Sequence, residues 1–217
     1  MLGHQLQTPL AITKGYANTL ARSDGHWDEA TLRQSFEAIE EETDRLSQLM
    51  NRLLLASRLE TGELALHKDP VQLEALADKV VRRSQTMTTK HTFSLDFPPG
   101  FPAVSADPAL LEEVLINLVD NAIKYSPQGG VISIKGKVSH QKVAVTVADQ
   151  GIGIPWWETR RIFERFHRGQ DWLTQRTRGL GLGLYICNAI VTAHDGCIEV
   201  TSEMGKGSQF TVILPVG

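Results

Sequence analysis

Two carboxamides and an ammonium recur along one stripe of a helical segment in this chain. Asn117, Asn121 and Lys124 stand at i, i+4 and i+7, while Leu111, Val114, Leu115, Leu118, Val119 and Ile123 form an apolar face on the same segment. Helical spacing makes the three polar groups project together. Carboxamide oxygens and water suit Mg2+, a hard cation that keeps several waters and binds phosphates. Taken alone, this helix could equally carry a solvated face. Further on, Asp149 ends the apolar run Val143-Ala144-Val145-Thr146-Val147-Ala148, and Gly151 and Gly153 follow it. Glycines there let the backbone turn closely past a ligand. A carboxylate at that point can accept from the exocyclic amine of adenine, whereas guanine presents an oxygen and is repelled; the alternative is a carboxylate that caps the turn. Last comes Gly179-Leu180-Gly181-Leu182-Gly183, opening a helix. Glycines at a helix start expose amide groups to phosphate oxygens. The surrounding strand, helix and acidic residue of a dinucleotide fingerprint are absent. Arg168, Arg176 and Arg178 with Gly169 occupy a stretch of little apolar content before it, which reads as a lid.

One further reactive group stands far upstream, in Gly3-His4-Gln5-Leu6-Gln7-Thr8-Pro9-Leu10. Neutral imidazole is a good nucleophile near pH 7. Pro9 removes the hydrogen bond that the Gln5 carbonyl would accept, so the helix is expected to bend one turn after His4. Such a bend is either a packing accommodation or a functional hinge. Of the seven histidines, His26, His67, His91, His140, His167 and His194 lack a nearby chemical constellation and read mostly as surface residues.

Two kinds of element must hold these groups. Leu32, Phe36, Ile39, Thr43, Leu46, Met50, Leu53 and Ser57 alternate steps of four and three, the seam of a long helix. Leu6, Leu10, Thr13, Ala17 and Leu20 give a shorter stripe ending near Ser23-Asp24-Gly25. The result is a helical hairpin over residues 1–62, which cannot cover both of its apolar sides. Pairing with a second copy into a four-helix bundle is the natural solution; packing on the rest of the chain is the alternative. Residues 63–70 read as linker. Residues 71–217 then alternate helix and strand: helix over 71–87, strand over 92–97, helix over 107–125, strands over 131–138 and 142–148, helix from Gly183, strands over 197–202 and 209–214. The expected fold class is α+β, with the hairpin followed by an α/β two-layer sandwich.

This order of motifs resembles the catalytic core of sensor histidine kinases, and the resemblance covers nearly the whole chain. It implies a dimerising phosphoacceptor hairpin and an ATP-binding domain of the type shared with DNA gyrase, a heat-shock chaperone family and MutL-type ATPases. His4 would take the γ-phosphoryl group of ATP and pass it to an aspartate on the receiver domain of a response regulator. The resemblance makes Asn121 the Mg2+ ligand, Asn117 a phosphate or metal contact, and Lys124 and Tyr125 further nucleotide contacts. Asp149 becomes the adenine reader beside Gly151, Gly153 and Ile154. Phe163 and Phe166 anchor a lid that brings His167 and Arg168 towards the nucleotide, and Gly179, Leu180, Gly181, Leu182 and Gly183 form the phosphate loop. The ATPases of this superfamily carry a glutamate about where Asn117 stands; an amide cannot take a proton from water, which favours a kinase over an ATPase.

Position 5 departs from the pattern. Family members usually have an acid where Gln5 stands and Arg where Gln7 stands. Gln5 can orient the imidazole but cannot accept its proton. A slow natural kinase, an engineered substitution, and a module biased towards dephosphorylating its partner all fit. Thr8, four residues after His4, matches the position that assists that phosphatase reaction.

Bulk properties bound the rest. The chain has 217 residues, 41% hydrophobic, with a formal net charge of -3, which offers nucleic acid no electrostatic footprint. No run of about 18 apolar residues exists and no secretory signal pattern opens the chain. Cys187 and Cys197 show no metal spacing and read as small buried hydrophobes in a reduced, cytoplasmic protein. Met1, three residues before His4 inside a helix, suggests a piece of something longer, with any membrane segment upstream.

Overall fold

The computed structural model describes residues 2–22, 27–62, 64–167 and 180–216, the side chains of Leu2, His4 and Gln5 excepted. The turn expected at Ser23-Asp24-Gly25 and the lid residues Arg168, Arg176, Arg178 and Gly179 therefore lie outside the described residues. The chain divides into two compact units, Met1–Arg58 and Leu59–Gly217.

Unit 1 is built on α1 (Leu2–Leu20) and α2 (Glu29–Thr61), whose last residues pass the unit boundary. Asp28 starts α2 by accepting from the Thr31 N–H at 2.7 Å, the usual way a free first-turn amide is satisfied. Hydrogen bonding from the Thr31 side chain, and then from its backbone N–H, holds the Asp28 carboxyl below the ordinary aspartate range. Helix α1 continues through Pro9, which is buried. Along the heptad seam Leu32, Ile39, Leu46 and Leu53 are half-buried. Phe36, Met50, Leu54 and, on α1, Leu10 are each more than half exposed. Covering a large apolar side chain contributes roughly 1.5–3 kcal/mol, so one copy of this hairpin leaves that stabilisation unrealised.

Unit 2 holds β1 (Asp69–Val71), α3 (Leu73–Gln85), β2 (His91–Asp96), β3 (Val104–Ala106), α4 (Pro108–Tyr125), β4 (Gly130–Ser139), β5 (Lys142–Ala148), α5 (Gly183–Ala193), β6 (Cys197–Glu203) and β7 (Gly207–Pro215). A short 3-10 turn covers Arg161–Phe163. The main sheet has five strands in the order β2-β4-β5-β7-β6. Its neighbours are antiparallel except β2 and β4. A parallel pair needs a crossover, and α4 lies on the path between them. Alternate residues of the central strands enter the core: Ile132 and Ile134, Val143, Val145 and Val147, Phe210, Val212 and Leu214. Against them stand Val80 and Val81 of α3, Val114 and Leu118 of α4, and Ile186 and Ile190 of α5, all nearly inaccessible. This is the two-layer α/β sandwich expected.

Four sequence expectations need correction. Asp69 and Pro70, expected in the linker, form β1 with Val71, paired antiparallel to β3. Such short strands carry no readable alternation, and only the pairing reveals them. The helix expected over 71–87 is shorter at both ends. Cys197 is exposed at the start of an edge strand, whereas Cys187 is fully buried. His194 is no surface residue: it is 2% exposed. Its Nδ1–H donates to the Ile190 carbonyl at 2.8 Å and Nε2 accepts from the Asp107 N–H at 2.9 Å. Among the described residues no helix is long and apolar enough to cross a membrane.

Candidate functional site

Helix α4 is the organising element, and both of its ends are fastened. At its start Pro108 supplies a preset φ and Asp107 caps, accepting at Oδ1 from the Ala109 and Leu110 N–H groups at 3.1 and 3.2 Å. Asp107 Oδ2 accepts from the His67 N–H at 3.1 Å, while His194 ties the Asp107 backbone to the end of α5. The helix exits at Tyr125 towards Ser126. The Ser126 carbonyl accepts from His91 Nε2 at 2.9 Å, and His91 Nδ1 accepts from Thr88 Oγ1 at 2.8 Å.

Asn117 is buried, at 5% exposure, which removes the solvated-face alternative for this residue. Its Nδ2 donates to the Glu113 carbonyl and to Glu113 Oε1, both at 2.9 Å. Its Oδ1 lies 3.0 Å from where a side chain on Gly183 would begin. The first carboxamide and the start of α5 are therefore neighbours, although 66 positions separate them (183 − 117). Asn121 and Lys124 are half-buried, and Lys124 Nζ lies 5.0 Å over the Tyr125 ring.

Asp149 follows β5 directly. Its backbone N–H donates to the Ser208 carbonyl at 2.9 Å. Its Oδ1 accepts from the Gly151 N–H at 2.8 Å and the Ser208 N–H at 3.3 Å. Burial pushes the carboxyl above the ordinary aspartate range, opposed by the Gly151 and Ser208 amides and the Ser126 hydroxyl. That hydroxyl is itself buried and lacks a well-formed hydrogen bond. Any side chain at Gly151 would meet the Tyr125 carbonyl at 2.2 Å and Ser126 Oγ at 2.7 Å, so only glycine lets this loop lie against the end of α4. Gly153 sits against the Glu203 carbonyl, and the Ile154 N–H donates to Ser202 Oγ at 2.7 Å. Asp149, the two glycines and the α4 terminus thus form one continuous surface.

The described flanks of the lid stretch meet. The Phe166 N–H donates to the Gly181 carbonyl at 3.0 Å, and Phe166 takes a left-handed backbone, φ 62. Gly181, at φ +68, has the His167 carbonyl 2.5 Å from its side-chain position, which excludes any other residue. Leu180 and Leu182 are buried, anchoring the loop so that Gly183 opens α5. Imidazole Nε2 of His167 bonds to the buried Glu158 carboxylate, and Phe163 is half-buried beside this turn. On α1, Thr8 is exposed; the His4 and Gln5 side chains and Arg168 and Gly179 lie outside the described residues.

Sequence reading missed Glu113, Ser126, Glu158, Ser208 and His194. Glu113 had a usable signal, standing one helical turn before Asn117. Ser208 had none, since only the β5–β7 pairing brings it to Asp149.

Donor chemistry at this surface fits a magnesium nucleotide. It offers carboxamide oxygen, a carboxylate for an amine, and glycine-held backbone at a helix start. Residues 106–217 match the family model described as histidine kinase-, DNA gyrase B-, and HSP90-like ATPase. Residues 1–62 match the His Kinase A (phospho-acceptor) domain. The fold and site thus define a phosphoacceptor hairpin joined to a domain of that ATP-binding class. The chain belongs to the sensor histidine kinases of two-component systems. It is similar to the adaptive-response sensory kinase SasA of Synechococcus sp. (strain JA-3-3Ab), 38% identical over all of this chain and 58% of the relative. The structure of the Acinetobacter baumannii histidine kinase AdeS matches with TM-score 0.77 and 27% identity over 99% of this chain and 98% of that one. Histidine kinase ThkA in complex with response regulator protein TrrA matches with TM-score 0.70 and 25% identity over 99% of this chain and 60% of that one. The chain spans between 24% and 58% of the length of the first curated relatives it matches.

Proposed function

We propose that this chain phosphorylates His4 from ATP and hands the phosphoryl group to an aspartate on a response regulator receiver domain. Asp149 selects adenine. Asn121 and Asn117 offer oxygens to Mg2+, which screens the phosphate charges when bound. Lys124, Tyr125, Gly151, Gly153, Ile154, His167 and Arg168 surround the nucleotide, and the Gly179–Gly183 loop with Leu180, Gly181 and Leu182 cradles the phosphates. In the transfer step an imidazole nitrogen of His4 bonds to the γ-phosphorus, the bond to the ADP oxygen breaks, and ADP leaves with the electron pair. The other ring nitrogen must then lose its proton. Gln5 orients that N–H but cannot accept it. The observation that carries this reading is the convergence on one helix: the Gly183 helix start lies against Asn117 in the middle of α4, and the Asp149 loop lies against its C-terminal end at Tyr125 and Ser126.

Labelling with γ-radiolabelled ATP tests it. The protein is expected to carry an acid-labile, base-stable label that disappears in His4→Ala. Steady phosphate release without labelled protein would instead mark a bare ATPase and overturn the kinase reading. A second reading rests on Gln5: a phosphatase-biased or weakly active docking module, in which Thr8 assists water at the regulator's phosphoaspartate. It requires phosphorylated regulator to lose its label faster with this chain present, and Thr8→Ala to abolish that gain.

The partly exposed seam of α1 and α2 supports a homodimer through residues 1–62. The linker then covers 63–68, and the catalytic domain runs from β1 to the end of the chain; the protein works in the cytoplasm. Light scattering should give a dimer for the whole chain and a monomer for residues 69–217. A monomeric whole chain with a dimeric 69–217 piece would reverse the assignment.

A further inference from the structure

An amide can serve a cation only if its oxygen, rather than its NH2 group, faces the ion. Asn117 has the right edge forward for a reason visible in its neighbours. Both hydrogens of its Nδ2 are accounted for on one side, by the carbonyl and the Oε1 of Glu113, each at 2.9 Å. A carboxamide NH2 has two hydrogens to give and no acceptor capacity. Rotating the group by half a turn would set Oδ1 against two oxygens and present the NH2 to the Gly183 end of α5. The backbone carbonyl supplies one part of this preference, as it would for any residue at 113. The carboxylate supplies the other and larger part, because a hydrogen bond to a carboxylate is the stronger of the two.

We infer that Glu113 is a positioning residue for the nucleotide site, holding the Asn117 carboxamide with its oxygen turned to the start of α5. Its action is directional, through the Asn117 amide, and does not depend on its charge reaching the cation. Glu113 is half-buried, so its side chain can be changed without opening the apolar core beneath α4. The inference rests on the proposal that Asn117 and Asn121 serve a magnesium nucleotide.

The experiment is a Mg2+ titration of the whole chain, read by fluorescence anisotropy of a methylanthraniloyl ATP analogue, with a parallel titration of the analogue in EDTA. Glu113→Ala is expected to raise the Mg2+ concentration at half-saturation roughly 10- to 150-fold, as for loss of one charge-assisted hydrogen bond. The EDTA titration should match that of the unaltered chain. Glu113→Gln keeps an oxygen that accepts from Nδ2 and should restore the Mg2+ response to within about twofold. An unchanged Mg2+ response in Glu113→Ala overturns the inference. So does a Glu113→Gln variant as impaired as the alanine, since charge and not direction would then be acting. Equal losses with and without Mg2+ overturn it too, by marking a structural role. Asn121→Ala and Asn117→Ala separate this from the underlying proposal: if both titrate like the unaltered chain, the magnesium assignment itself fails, whereas impaired asparagine variants beside a normal Glu113→Ala sink only the role of Glu113.

Discussion

Gln5→Glu is expected to accelerate labelling of His4 by ~10- to 10^4-fold, the span that a positioned general base contributes, while leaving ATP affinity nearly unchanged. The imidazole must shed a proton as its other nitrogen takes phosphorus, and at position 5 the chain offers an amide that can hold the ring but not accept. Position 5 lies on α1, in the unit Met1–Arg58, and the candidate nucleotide contacts all lie in the unit Leu59–Gly217, so rate and affinity should separate. The gain shrinks towards the lower figure if movement of the two units, rather than chemistry, limits the rate. Gln5→Ala should be no faster than the unaltered chain, because alanine can neither accept the proton nor orient the ring. Single-turnover labelling at saturating Mg-ATP is the measurement. Equal rates for Gln5 and Glu at this position would mean that the neighbour is not the base, and would strengthen the phosphatase-biased reading.

Asp149→Asn should weaken ATP by about 1.5–3 kcal/mol, the range for a hydrogen bond to a charged group, or roughly 10- to 150-fold in dissociation constant. Asparagine keeps an oxygen for the Gly151 and Ser208 amides, so the loop should hold its shape. It also replaces one carboxylate oxygen by an NH2 group, which would face the adenine amine donor to donor. A pH dependence follows from the same residue. Burial raises the Asp149 carboxyl above its ordinary value, so ATP affinity in the unaltered chain should fall on acidification at a higher pH than an exposed aspartate would give. This component should vanish in Asp149→Asn. Stability moves the other way. The folded carboxyl binds its proton more tightly than the unfolded chain, near pH 3.9, so stability declines as pH rises from that value through the raised one. Without nucleotide at neutral pH, Asp149→Asn should therefore melt no lower than the unaltered chain, and ATP should raise its melting temperature less. A calorimetric ATP titration unchanged in a folded Asp149→Asn protein would remove Asp149 from the site.

What the sequence determined by itself was the set of elements and the identity of the chemical groups, because both rest on short-range rules. The 3.6-residue stripe over 107–125 and the two-residue alternation over 131–138 and 142–148 report burial of one face, and α4, β4 and β5 stand within a residue of those limits. Heptad spacing likewise marked α2. Glycine between hydrophobic residues marked the loops, since a left-handed or crowded backbone admits little else. Tertiary structure alone decided which groups meet and which way they face. Pairing of β5 with β7 puts Ser208 on Asp149, and the fold of the Phe166–His167 turn onto Gly181 joins the two flanks of the lid stretch. His194, an isolated histidine in the sequence, ties the end of α5 to the start of α4. Asn117 was legible as a residue type but not in orientation, because nothing in a residue's name says which edge of an amide its neighbours will hold. Periodicity fixes a face, while direction, register and protonation come from contacts between residues far apart in the chain.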